Sequence, residues 1–211
     1  MRVLLLLFCT LTSVACGLLE ASTIVDFEGL PDGTFLSNQY SGLTFSNAQI
    51  ATAGISLNEL EFPPHSGVNV AVDVSGPMSI LFATPVSSVG GYFTYASLLV
   101  LAGYDASSNL VDSAASAFNT NEALTGEAGS SPNEFLQVSS SVDIVKITIT
   151  AETTGSSFGL DDLVYSAEAV VIPEPSTLKV AASVCLLAFV AQVIKKGGLI
   201  HSLRVFGGRG L

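Results

Sequence analysis

Val68-Asn69-Val70-Ala71-Val72-Asp73-Val74 places valine at every second position. Successive side chains of an extended chain point to opposite sides, so this period of two predicts a β-strand with the valine face buried. The period returns at Val145, Ile147 and Ile149, which oppose Lys146, Thr148 and Thr150. Other strand-like segments lie at 23–27, 42–46, 78–83, 86–96, 98–105, 110–117, 135–139, 142–151 and 157–166. Turn residues separate them, as in Gly29-Leu30-Pro31-Asp32-Gly33, and Ala106-Ser107-Ser108-Asn109 reads as a hairpin connection. Gly90-Gly91, just before Tyr92, Phe93 and Tyr95, marks a bulge or a close approach. Many short strands without an amphipathic helix predict an all-β fold, a two-sheet antiparallel β-sandwich over residues 22–168.

The charge of this stretch narrows its partners. From Ser22 to Ser176 there are 17 acidic residues and one basic residue, Lys146. Such a surface repels phosphate, which excludes nucleic acid as a partner and leaves cations or solvent to balance the carboxylates. The same stretch has no cysteine, because Cys9, Cys16 and Cys185 all lie outside it. Its stability must come from an apolar core, not from disulfides.

The two ends carry targeting patterns. Met1-Arg2, the apolar run from Val3 to Leu11 and small residues at Ser13, Ala15 and Gly17 predict a signal peptide over 1–17, cleaved near 15–21. Ser13-Val14-Ala15-Cys16 also resembles a lipoprotein box, though Ser13 stands where that pattern wants leucine. Near the other end, Pro173 and Pro175 break any helix or sheet, so 169–177 reads as a linker. An uncharged run from Val180 to Ile194 follows, which Leu178 extends while Lys179 snorkels. Residues 178–194 therefore predict a single transmembrane helix in contact with membrane lipid. Lys195 and Lys196 act as its stop, and 195–211 forms a basic cytoplasmic tail. This orientation leaves the acidic body outside the cytoplasmic membrane.

Pro173-Glu174-Pro175-Ser176, the membrane segment and the Lys195-Lys196 cluster occur in the order of the PEP-CTERM sorting domain, which the chain resembles from Val171 to Lys196. The resemblance implies that Pro173, Glu174, Pro175 and Ser176 form a sorting motif for an exosortase, a membrane transpeptidase-like protease. It implies processing, then display or release at the cell surface, in company with exopolysaccharide. Lys179 and the 15 residues from Gly197 to Leu211 depart from the usual pattern. The body resembles cargo domains of that class through Asp26-Phe27-Glu28-Gly29-Leu30-Pro31-Asp32-Gly33-Thr34, Tyr104-Asp105-Ala106 and Phe158-Gly159-Leu160-Asp161-Asp162-Leu163. These are jelly-roll or carbohydrate-binding-module-like sandwiches.

In jelly-roll modules the first and last strands are neighbours and a structural Ca²⁺ sits among their carboxylates. The resemblance thus makes Glu28, Asp161 and Asp162 candidate ligands, since Ca²⁺ takes six to eight hard oxygens. Adjacent strand residues face opposite sides, so Asp161 and Asp162 can share a site only if a bulge intervenes. Gly155-Ser156-Ser157-Phe158-Gly159 fits the G-x-S-x-G pattern, but that elbow needs a following helix and Leu160 to Ser166 reads as a strand. His65, the one histidine of the body, reads as a loop residue. Sugar platforms need exposed aromatics. The chain has no Trp, and most of Tyr40, Tyr92, Tyr95, Tyr104 and Tyr165 fall in strands, where rings more often pack inward. The sequence reads as a non-enzymatic exported protein with a structural, adhesive or glycan-binding body. A secreted glycan-active hydrolase is the competing reading, because carboxylate pairs across a sandwich are invisible in sequence.

Overall fold

The computed structural model describes residues 22–151, 155 and 157–167. The expected signal peptide, Pro173, Glu174, Pro175 and Ser176, the apolar segment, Lys195 and Lys196 lie outside these residues. The described part is all-β, with nine strands: β1 (Ser22–Val25), β2 (Leu43–Ser46), β3 (Ala48–Thr52), β4 (Asn69–Asp73), β5 (Met78–Tyr95), β6 (Val100–Tyr104), β7 (Leu110–Ala115), β8 (Glu134–Thr150) and β9 (Phe158–Ala167). Among the described residues no helix is long and apolar enough to cross a membrane.

All strand pairs are antiparallel, and they join into one hydrogen-bonded path, β3-β4-β9-β5-β8-β6-β7. Off this path, β1 pairs with β9 and β2 with β5. The first and last strands are therefore neighbours, in the register Ser22↔Ser166 to Val25↔Leu163.

Two pairs of segments that read as separate strands, 78–83 with 86–96 and 135–139 with 142–151, are single long strands, β5 and β8. Their mutual register shifts between Leu81 and Val86 and again between Val86 and Ser88. Pro85 sits in the first break, where its missing N–H costs no ladder bond. Irregularities of this kind let one strand serve two arms of a sheet. One arm contains β3, β4, β9, the later half of β5 and the start of β8. The other contains β2, the start of β5, the later half of β8, β6 and β7. Met78, Ile80, Leu101, Ile147 and Ile149 from the second arm join Val89, Phe93, Val138, Leu160 and Leu163 from the first in one buried cluster.

The valine alternation at 68–74 is a strand, but the face that enters the main core is the opposite one. Asn69, Ala71 and Asp73 are 3 %, 0 % and 0 % exposed, and Ala71 belongs to the main core. Val70 instead joins Ala51 and Leu57 in a smaller cluster, with Phe62 and Val72 packed on it. The polar residues can go inside because each is saturated. Asn69 Nδ2 donates to the carbonyls of Phe27 and Leu30, and its Oδ1 accepts from Thr52 Oγ1. Asp73 accepts from Ser157 N, Ser157 Oγ and Phe158 N at 2.7, 2.9 and 3.1 Å. A buried carboxylate with three donors avoids most of the penalty of an unpaired one.

Candidate functional site

Glu28, Asp161 and Asp162 all act on one loop. Glu28 Oε1 accepts from Val68 N and Asn69 N at 2.7 and 2.8 Å. Asp161 Oδ2 accepts from Ser66 N at 2.8 Å, while Asp162 Oδ1 accepts from Ser66 Oγ at 3.0 Å. Asp162 Oδ2 lies 2.7 Å from His65 Nδ1. Gly67, at φ +55°, passes so close to Glu28 that an added Cβ would fall 2.2 Å from Oε1. Only glycine fits there.

The bulge that this convergence requires is present. Opposite β5, the register of β9 moves from Gly90↔Val164 to Tyr92↔Asp161, so β9 has one residue more than its partner. Asp162 takes up the extra length at φ +45°, a left-handed conformation that aspartate tolerates better than most residues. Two consecutive carboxylates thereby reach the same loop residue, Ser66, and Asp162 also reaches His65. Burial, only partly offset by the amides of Ser66 and Asp162, pushes the Asp161 carboxyl up to about 6. Asp161 is 1 % exposed, so it organises the loop from within and offers nothing to a substrate. No group of three or more His, Cys, Asp or Glu side chains placed to hold a metal ion occurs among the described residues. Loop amides, a serine hydroxyl and an imidazole engage Glu28 Oε1, Asp161 Oδ2 and both Asp162 oxygens.

The clamped loop delivers His65 onto the sheet. Its imidazole lies flat on Tyr92, with centroids 3.4 Å apart and planes 8° from parallel. Tyr92 in turn meets Phe135, its cross-strand partner, at 5.1 Å and 55°. Phe135 is 44 % exposed and leans over Gly90, where a Cβ would fall 2.9 Å from its Cζ and 2.7 Å from the Leu136 carbonyl. Gly90 thus makes room for the ring, while Gly91 on the opposite side makes room for Leu160 in the core. Asn133 Nδ2 holds the Pro63 carbonyl at 3.2 Å, tying the loop to the chain entering β8.

The outward positions continue the surface with polar groups. Gly90 faces Gln137 and Ser88 faces Ser139 in the β5–β8 register. Ser87, Ser88, Gln137, Ser139, Ser140 and Ser141 line an open groove of about 480 Å³. From Phe135 to Ser139 the strand advances about 13 Å. This face therefore runs from an aromatic end, His65–Tyr92–Phe135, to a hydroxyl- and amide-rich end. Flat rings accept the C–H face of a sugar, and the polar end offers partners for its hydroxyls.

Sequence reasoning grouped Glu28, Asp161 and Asp162 as candidate Ca²⁺ ligands; here they hold one loop, a role it did not give them, and it missed the roles of His65, Tyr92 and Phe135. Pro63-Pro64 ahead of His65 and Gly90-Gly91 ahead of Tyr92 were the available signals, since both restrict the backbone at a definite place. The G-x-S-x-G match has a structural use: Ser157 Oγ donates to buried Asp73, and the chain continues into β9.

No protein-family model matches this chain, and no curated protein sequence does. Among solved structures, the K2 cleaved adhesin domain of Lys-gingipain is 13 % identical, with 69 % of this chain and 99 % of that one covered at a TM-score of 0.46. A DUF4465 family protein from Bacteroides caccae is 12 % identical, with 71 % and 100 % covered at 0.45. A family 29 carbohydrate-binding module complexed with mannohexaose is 11 % identical, with 70 % and 92 % covered at 0.39. All three TM-scores lie below 0.5, so the functional reading rests on the geometry of this chain.

Proposed function

We propose that the β-body binds glycan through the His65–Tyr92–Phe135 strip and its serine- and glutamine-lined extension. The observation that carries this is the stacked His65–Tyr92 pair, held at the surface by Asp162 and continued by exposed Phe135. A parallel stack against the sheet keeps a ring fixed in orientation before a ligand arrives, which reduces the ordering cost of binding. The role is adhesive or structural and not catalytic.

The same proposal covers the protein's handling. The chain is exported by its signal peptide and held by the segment 178–194, with the body outside the cytoplasmic membrane. Pro173-Glu174-Pro175-Ser176 is its address to an exosortase, and Lys195 and Lys196 set its orientation in membrane lipid. Surface display beside exopolysaccharide would give the strip its ligand. The order of motif, apolar run and basic cluster supports this part.

A glycan array with the full-length chain, beside the Tyr92→Ala variant, tests the binding role. Signals on neutral polysaccharides that weaken in the variant are expected; signals unaffected by Tyr92→Ala remove the strip from the reading. Sorting is tested by mass spectrometry of the mature C-terminus from the native host. An intact end at Leu211 in all surface-exposed protein contradicts processing.

A further inference from the structure

We infer that the pocket between the β3–β4 hairpin and the folded segment 52–62 is a second ligand site, separate from the aromatic strip, that takes one uncharged six-membered sugar ring. The pocket has a volume of about 500 Å³, within the range of small-molecule sites. Leu57, Phe62, Val72 and Phe158 supply apolar walls, and Asp32, Gln49, Ser56 and Asn58 supply polar groups. Neither set alone specifies a ligand; together they suit a molecule with a C–H face and a hydroxyl edge.

The walls are built and braced. Leu57 N donates to the Thr52 carbonyl at 3.1 Å and Phe62 N to the Asn58 carbonyl at 2.8 Å, so segment 52–62 is folded on itself. Asp32 Oδ1 ties that segment to the turn between β1 and β2 by accepting from Thr52 N at 2.9 Å and Ser56 Oγ at 2.5 Å. Asp32 Oδ2 and the Asn58 side-chain amide make no hydrogen bond among the described residues. They present an acceptor-only carboxylate oxygen and an amide that both donates and accepts, a combination suited to sugar hydroxyls. Gln49 Nε2 is engaged with the Gly33 carbonyl at 2.8 Å, which leaves its Oε1 as a further acceptor. The one charged group in the lining is a carboxylate, so uronates and other anionic sugars are repelled and a neutral ring is preferred.

The test uses the full-length chain with methyl glycosides of glucose, mannose and galactose at millimolar concentration. Saturation-transfer NMR should show transfer to ring C–H protons of at least one of them. Amide shifts on titration should move at Gly33, Ser56 and Asn58. Asn58 is exposed, so Asn58→Trp should block the mouth and weaken binding at least tenfold, with Asn58→Ala giving a smaller loss. The shifts at Gly33, Ser56 and Asn58 should persist in Tyr92→Ala, which separates the pocket from the strip. Absence of transfer from all three glycosides overturns the inference. So do undiminished shifts at Gly33 and Ser56 in both Asn58 variants, shifts confined to Tyr92 and Gln137, or loss of the Gly33 and Ser56 shifts in Tyr92→Ala.

Discussion

The His65 imidazole lies 3.4 Å above the Tyr92 ring, 8° from parallel, while its Nδ1 is held 2.7 Å from Asp162 Oδ2. One contact sets the distance of the ring from the sheet and the other sets its rotation. The pair is an exposed aromatic surface made by joining a loop residue to a strand residue 27 positions later.

Removing either half of the stack should weaken glycan binding without unfolding the body. Ordering a side chain on binding costs about 0.5–1.5 kcal/mol, so losing the preorganised stack in His65→Ala or Tyr92→Ala should lower affinity about two- to tenfold. Isothermal titration with a neutral polysaccharide that binds on the array reads this directly. A Tyr92→Ala variant with unchanged affinity and an unchanged circular dichroism spectrum contradicts it.

Asp161 makes stability depend on pH in a definite direction. Burial raises its carboxyl from 3.8 to about 6 in the folded chain, so the folded state holds the proton more tightly than the unfolded state. Its contribution is present below about pH 4 and is lost as pH rises through about 6. Melting temperatures of wild type and Asp161→Asn, compared from about pH 4 to about pH 7, should show wild type losing ground as pH increases. A difference that stays flat or grows the other way counts against this origin.

Asp73 should be among the most sensitive polar positions. Asp73→Ala leaves Ser157 N, Ser157 Oγ and Phe158 N without their acceptor at the start of β9. Each buried orphan costs about 1–3 kcal/mol, so a loss on the order of 3 kcal/mol or more is expected in urea unfolding. A loss below about 1 kcal/mol would mean that water replaces the carboxylate.

Tyr40→Phe should have the opposite sign. The Tyr40 hydroxyl is buried without a hydrogen-bond partner among the described residues, while its ring packs edge-on to Phe27 at 5.9 Å. Phenylalanine keeps the ring contact and removes the unsatisfied group, so a gain of about 0.5–1 kcal/mol is expected from thermal or urea unfolding. A loss of stability would reveal a partner for the hydroxyl, such as an ordered water.

Much of the fold could be read from local pattern. The period of two located β4 and the end of β8, and the polar tetrad from Ala106 to Asn109 joins β6 to β7, where Asp105 N donates to the Asn109 carbonyl. The carboxylates Glu28, Asp161 and Asp162 could be grouped, as candidate Ca²⁺ ligands, only through the resemblance to jelly-roll modules; the adjacency of β1 and β9 is seen in the structure. The strand β3 escaped notice because Ala48-Gln49-Ile50-Ala51-Thr52 has few large apolar residues to mark a face.

By itself the sequence determined that the described body is all-β, that it carries no cysteine and that its charge is almost entirely acidic. These are properties of composition and local period, which need no distant partner. Tertiary structure alone decided which face of β4 enters the main core, that β5 and β8 run through both arms, and that His65 meets Tyr92. The physical reason is that each depends on pairing between residues far apart in the chain. Asn69 and Asp73 are buried because distant donors and acceptors satisfy them, and the bulge at Asp162 is defined only against β5. A strand's period shows that it has two faces; only its hydrogen-bond partners decide which one turns inward.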